Sequence, residues 1–164
     1  MRSSAASDVY KRQDVYFCAG FQPQELKKYR DGDLERIAAL ASDPKCVGIG
    51  EIGLDYHYPD NPLKEQQKEI FERQIRLADA AGLPVVVHSR DAAADTLEIL
   101  RANRAFLKNG ALLHCYSYSK EMVGEFAALG MYFSLGGTST YKNAKKIHEN
   151  ARAIPADRRT KGDE

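Results

Sequence analysis

The stretch LPVVVHSR, residues 83–90, sets a run of apolar residues directly before three polar side chains, His88, Ser89 and Arg90. Its apolar residues follow one another without alternation, the pattern of a strand buried on both faces, and such strands belong to parallel sheets covered by helices. Neighbouring segments repeat the pattern. CVGIGEIG (46–53) reads as a buried strand ending in a glycine-rich segment that carries a single acid, Glu51, and GALLHCYS (110–117) as another, with His114 at its end. DVYFCAG (14–20) and MYFSL (131–135) complete a set of five.

Between the strands, the spacing of apolar residues predicts helices. One covers 34–42 with Asp33 as N-cap; the longest opens with Asn61 as N-cap and Pro62 in the first turn and ends at Gly82 and Pro84. Others cover 92–100, 120–129 with Gly130 as the stop, and 144–153, while GGTSTYKN (136–143) reads as a loop. Strand followed by helix, five times over, fits two architectures: an open doubly wound sheet, or part of a closed (β/α)8 barrel. No G-x-G-x-x-G opens any of these helices, which weakens the nucleotide-binding version of the open sheet.

The polar residues favour the barrel. Glu51, His88 and His114 each fall at the C-terminal end of a different strand, one strand-helix unit apart, and a parallel barrel gathers its active-site groups at those ends. A single histidine at the end of a buried strand is more often a satisfied rim residue than a ligand. One carboxylate and two imidazoles at three successive strand ends, however, match the ligand types of a zinc or manganese site. A metal held there lowers the pKa of water and polarises a phosphoryl or carbonyl oxygen, so the implied chemistry is hydrolysis. This reading requires the three side chains to lie within a few Å of a common point, with all the helices outside the sheet.

Composition narrows the class. With 164 residues, 43% hydrophobic and 29% charged, the chain has the make-up of one globular domain. No apolar run approaches the roughly 18 residues of a membrane span, so no membrane partner is expected. Lys and Arg number 24 against 23 Asp and Glu, a net charge of +1, so a polyanion has to be gripped locally rather than by a global basic field. Three cysteines, Cys18, Cys46 and Cys115, are an odd number without C-x-x-C spacing and point to a reducing compartment, hence a cytoplasmic location. Cys115 is expected to be a small buried residue. Residues 1–13, MRSSAASDVYKRQ, lack the apolar core of a secretory signal and are expected to be a disordered or non-native leader.

Four motifs in order, GIGEIGLDYHY (48–58), PVVVHSRDA (84–92), LLHCYS (112–117) and MYFSLGGTSTYKNAKK (131–146), closely resemble the TatD family of metal-dependent deoxyribonucleases, a branch of the amidohydrolase-like (β/α)8 hydrolases. The resemblance runs from about Val15 to about Arg158 and implies an α/β fold, part of a TIM barrel covering about strands two to six with helices outside. It implies a site of two divalent ions, Mg, Mn or Zn, with DNA as substrate. Glu51 falls on the family's bridging glutamate, and His88 and His114 on its ligands to the second ion.

The departures matter as much. The family's first strand carries an H-x-H pair, which occurs nowhere in this sequence, and its late E-T-D segment has no counterpart in IPADRRTKGDE (154–164). The expectation is an incomplete TatD-like domain over 14–158 with a non-family tail at 159–164, whose open sheet edges invite self-association. Gln22 stands where the family usually has His in a G-x-H-P turn, and Tyr118 where Gly usually follows H-C-F-S.

Supporting roles are assigned to three residues. Arg90, beside His88, either clamps a substrate phosphate and so assists catalysis or forms an ion pair with a neighbouring acid. Tyr56 either stacks on a base or packs locally, and Lys142, with the backbone of GGTSTYKN, meets a phosphate. Two readings of function stand side by side: a nuclease, expected to be an exonuclease, and a non-catalytic metal-binding fragment. Within the superfamily, another phosphoester, an amide or a lactone uses similar ligands.

Overall fold

The computed structural model describes residues 15–161. Six strands form one sheet: β1 (Phe17–Ala19), β2 (Cys46–Asp55), β3 (Val85–Arg90), β4 (Ala111–Leu113), β5 (Tyr132–Leu135) and β6 (Arg159–Lys161). Every neighbouring pair is parallel, and the spatial order is the chain order, β1 to β6. Five α-helices fill the crossovers: α1 (Asp33–Ala41), α2 (Lys64–Ala81), α3 (Ala93–Ala102), α4 (Lys120–Ala128) and α5 (Lys145–Ala153).

Sequential order decides between the two architectures. Right-handed crossovers that always advance in one direction lay every helix on the same face of the sheet, whereas a doubly wound sheet must reverse direction once. The result is a six-stranded arc of a (β/α)8 barrel. All the strand C-termini reach one rim. The sixth strand, β6, lies beyond the five that the apolar pattern predicts, because RTK is too short and too polar to register as a buried run. Pairing with β5 and the Arg158 side chain, which donates to the Gly130 carbonyl at 2.8 Å and stacks over Tyr132, hold this part of the chain on the sheet.

The core lies between sheet and helices. Ile49, Ile52, Leu54, Val87 and Phe133 of the strands meet Phe71, Ile75, Leu100 and Phe126 of the helices, all essentially without exposed surface. Each such side chain contributes about 1.5–3 kcal/mol by leaving water. On α2 the buried stripe is Gln67, Ile70, Phe71, Gln74, Ile75 and Ala78, the three-and-four spacing of one helical face. Two glutamines therefore sit where apolar residues are the norm.

Two predicted caps fall elsewhere. Gly32, at φ 92°, is the N-cap of α1, and Asp33 is its first residue, with a carboxylate that accepts from the Arg30 N–H at 2.8 Å. Leu63, not Asn61, precedes α2, because the Asn61 amide is engaged by Asp55. Gly82 ends α2 in the left-handed conformation expected of it, at φ 69°. No helix of the described residues is long and apolar enough to cross a membrane. The predicted leader, residues 1–13, lies outside the described residues.

The β2–β3 pairing depends on one glycine. Gly53, at φ 140°, stands opposite His88, and a Cβ there would sit 2.0 Å from the His88 carbonyl oxygen. Gly53→Ala is expected to destabilise the fold by about 2–5 kcal/mol, combining overpacking with backbone strain. A urea unfolding curve checks this; an unchanged midpoint contradicts it.

Candidate metal centre

Glu51 lies within β2, His88 within β3, and His114 directly follows β4, so three neighbouring strands deliver the three side chains to one rim. Glu51 Oε1 is 2.5 Å from His114 Nδ1 and 3.7 Å from His88 Nδ1. Its other oxygen, Oε2, accepts from the Gln22 side-chain amide at 2.6 Å. The glutamine that departs from the family pattern therefore touches the central carboxylate itself.

β2 continues past Gly53, where the sequence reading ends it, to Asp55, whose side chain is fully buried. Asp55 Oδ2 accepts from Gln24 Nε2 at 2.6 Å and lies 3.0 Å from His88 Nε2. Oδ1 accepts from the His57 backbone N–H at 2.9 Å and from Asn61 Nδ2 at 3.0 Å. Sequence reasoning passed over this residue. The available signal was an acid in an otherwise apolar segment four residues after Glu51.

The two buried glutamines of α2 hold the surroundings in place. Gln67 accepts from the Asp55 N–H at 2.8 Å and donates to the Asp55 and Pro62 carbonyls at 3.0 and 2.8 Å. Gln74 accepts from the Phe21 N–H at 2.7 Å and donates to the Phe21 carbonyl at 3.1 Å, which sets the backbone next to Gln22.

At Glu51, Asp55 and His88 burial opposes ionisation, but charge and hydrogen bonding outweigh it. Burial would raise the Glu51 pKa, yet His88 and His114 hold it below the usual carboxylate range. Burial likewise opposes the Asp55 charge, and the His57 N–H, His88 and Gln24 still keep its pKa low. Burial would depress His88, but Glu51 and Asp55 push its imidazole pKa above the ordinary value.

The other assigned residues are placed differently. Arg90 stacks over the Tyr58 ring, 5.1 Å from its centroid, and donates to the Tyr58 hydroxyl at 3.2 Å. Tyr56 donates to Asp95 Oδ2 at 2.8 Å while Lys64 Nζ lies 4.4 Å from its ring centre. Burial and the Asp95 carboxylate raise the Tyr56 pKa, so it remains a neutral phenol. Lys142 is exposed in the turn before α5. Tyr118 donates or accepts at Ser89 Oγ, 2.7 Å, and accepts from the Ala92 N–H at 3.1 Å. Cys115 is exposed rather than buried: it follows β4 at φ 49°, outside the sheet, with Sγ 3.5 Å from His114 Nε2.

Among the described residues no three or more His, Cys, Asp or Glu form a ready-made cation cage. Glu51 and His114 are instead closed on each other, whereas two donors about 2.1 Å from one ion in tetrahedral array stand roughly 3.4 Å apart. The donor chemistry nevertheless fits a divalent ion: one carboxylate oxygen faces two imidazole nitrogens, and opening the pair by about 1 Å makes the space.

Three comparisons bear on this site. The TatD-related DNase family model matches residues 2–160. A Bacillus subtilis protein called an uncharacterized metal-dependent hydrolase, YabD, is 40% identical over 144 residues, covering 88% of this chain and 56% of its own length. The 3'-5' ssDNA/RNA exonuclease TatD of Cronobacter turicensis is 37% identical over 141 residues, 85% of this chain and 53% of its own. The crystal structure of the TatD homologue YjjV from Escherichia coli superposes with a TM-score of 0.85 at 30% identity, over 93% of this chain and 60% of that one. The chain spans about half the length of the curated relatives it matches.

Removing the Gln67 amide tests how firmly this rim is built. Gln67→Leu takes away the partner of the Asp55 N–H and the amide donor to the Pro62 carbonyl, and leaves the Asp55 carbonyl with Asn61 Nδ2 alone, so it is expected to lower stability by about 1–3 kcal/mol. Chemical denaturation measures it, and a loss below about 0.5 kcal/mol contradicts the assignment.

Proposed function

Because this chain belongs to the TatD-related DNase family, we propose that Glu51, His88 and His114 hold a divalent cation and that the site hydrolyses phosphodiester bonds of single-stranded nucleic acid, DNA above all. The observation that carries this reading is the convergence of Glu51 on both imidazoles, at 2.5 and 3.7 Å. The exonuclease name of one relative supports the substrate class. When bound, the cation supplies Lewis-acid polarisation of a phosphoryl oxygen and lowers the pKa of water.

The chain's own residues have separable roles. Glu51 is held from the opposite side by Gln22, so its free rotation is lost before substrate arrives. Arg90 keeps most of its five N–H donors beyond the one that engages Tyr58 and is proposed to clamp a substrate phosphate. Tyr56 and Tyr58 line a cleft of about 240 Å3 beside Asp55, with Lys64 at its wall, where a base would find an aromatic surface. Lys142 is proposed to meet a more distant phosphate.

A second reading, one-ion binding without hydrolysis, draws on a specific feature: none of the four histidines, His57, His88, His114 and His148, forms an H-x-H pair. Isothermal titration with zinc is expected to give about one ion per chain, and the His88→Ala/His114→Ala double variant is expected to bind none. Equal binding by both proteins removes the site. With Mn²⁺, the chain is expected to shorten a single-stranded oligonucleotide labelled at its 5' end. EDTA should stop it, and Glu51→Gln should slow it by about 100-fold or more, since even partners of metal ligands cost 10–100-fold. Zinc binding without any cleavage favours the second reading; hydrolysis of a lactone or amide in place of DNA moves the substrate class.

A further inference from the structure

Asp55 is a fully buried carboxylate that the proposed chemistry does not use, and its surroundings dictate what it does to its neighbour. An ionised carboxylate only accepts hydrogen bonds. Four groups converge on its two oxygens: Gln24 Nε2 and His88 Nε2 on Oδ2, and the His57 N–H and Asn61 Nδ2 on Oδ1. His88 Nε2 therefore has to be the donor.

We infer that Asp55 is a positioning residue that fixes the proton of the neutral His88 ring on Nε2, and so turns the lone pair of Nδ1 toward Glu51. Nδ1 is the nitrogen that faces Glu51 Oε1, at 3.7 Å. A cation takes only a nitrogen without a proton, so the site requires this tautomer and not the other. The metal half of the inference rests on the cation reading given above; the tautomer half does not.

The isosteric variant Asp55→Asn reverses the tautomer by geometry alone. The His57 backbone N–H cannot turn away, so the asparagine oxygen stays at the Oδ1 position, where it still accepts from His57 and Asn61. Its amide then occupies the Oδ2 position and donates to His88 Nε2, while the Gln24 amide can flip to accept. The ring proton moves to Nδ1, where it points at Glu51. Volume and shape are unchanged.

The test uses protein labelled with 15N-histidine, free of metal and held at a pH above the end of the His88 titration. Proton–nitrogen correlation is expected to show Nε2 protonated in the parent and Nδ1 protonated in Asp55→Asn. Zinc affinity is expected to fall 10–100-fold in Asp55→Asn, and this difference is expected to vanish when Asp55→Asn is made in a His88→Ala background. A parent His88 with its proton on Nδ1 overturns the inference even if the variant fails to fold. So does an unchanged tautomer in a folded variant, or an equal zinc loss with and without His88. A parent that binds no zinc yet shows the reversal refutes the cation reading and leaves the positioning role standing.

Discussion

The parallel pairing of β2 with β3 sets Gly53 against His88 and Asp55 against Arg90, and the rim is built outward from that register. Parallel strands run in the same direction, so β2, β3 and β4 end on the same side, and polar residues toward their C-terminal ends share a small volume. Shifting β2 by one residue would turn Glu51 and Asp55 onto the opposite face of the sheet. The close approach of Gly53 to the His88 carbonyl opposes such a slip, because only a residue without a Cβ fits there.

Burying several ionisable groups together is costly unless each lone pair and proton has a partner. Here the partners come from neutral amides as well as from charges. Gln22 and Gln24, in the turn after β1, reach Glu51 and Asp55; Gln67 and Gln74, on the buried stripe of α2, tie down the backbone at Asp55 and Phe21. Amides donate and accept without adding charge, so they steady two carboxylates in low dielectric. The same arrangement accounts for α2 starting after Leu63: Asn61 is drawn to Asp55 and cannot cap the helix.

Much of the fold was legible from local chemistry. Consecutive apolar residues at 85–87 and glycine punctuation at 82 and 130 marked strands and helix ends, because double-sided burial and the left-handed cap each demand particular residues at particular places. The positions of Glu51, His88 and His114 could be read for the same reason: polar groups at the ends of otherwise apolar strands have nowhere to go but the rim. Residues whose roles depend on distant parts of the chain were not legible. Asp55 and Gln67 are twelve residues apart, Gln22 and Glu51 twenty-nine, and no periodicity links such pairs.

The sequence by itself determined the class of the fold, the family and the presence of one carboxylate and two imidazoles at the rim, since hydrophobic pattern and residue chemistry are properties of short segments. Tertiary structure alone decided that β6 joins the sheet, that Cys115 stays exposed beside His114, that Arg90 lies on Tyr58, and which nitrogen of His88 meets Asp55. Each of those depends on which groups fill the space around a side chain once the sheet has curved and the helices have packed, and that information is spread over the whole chain.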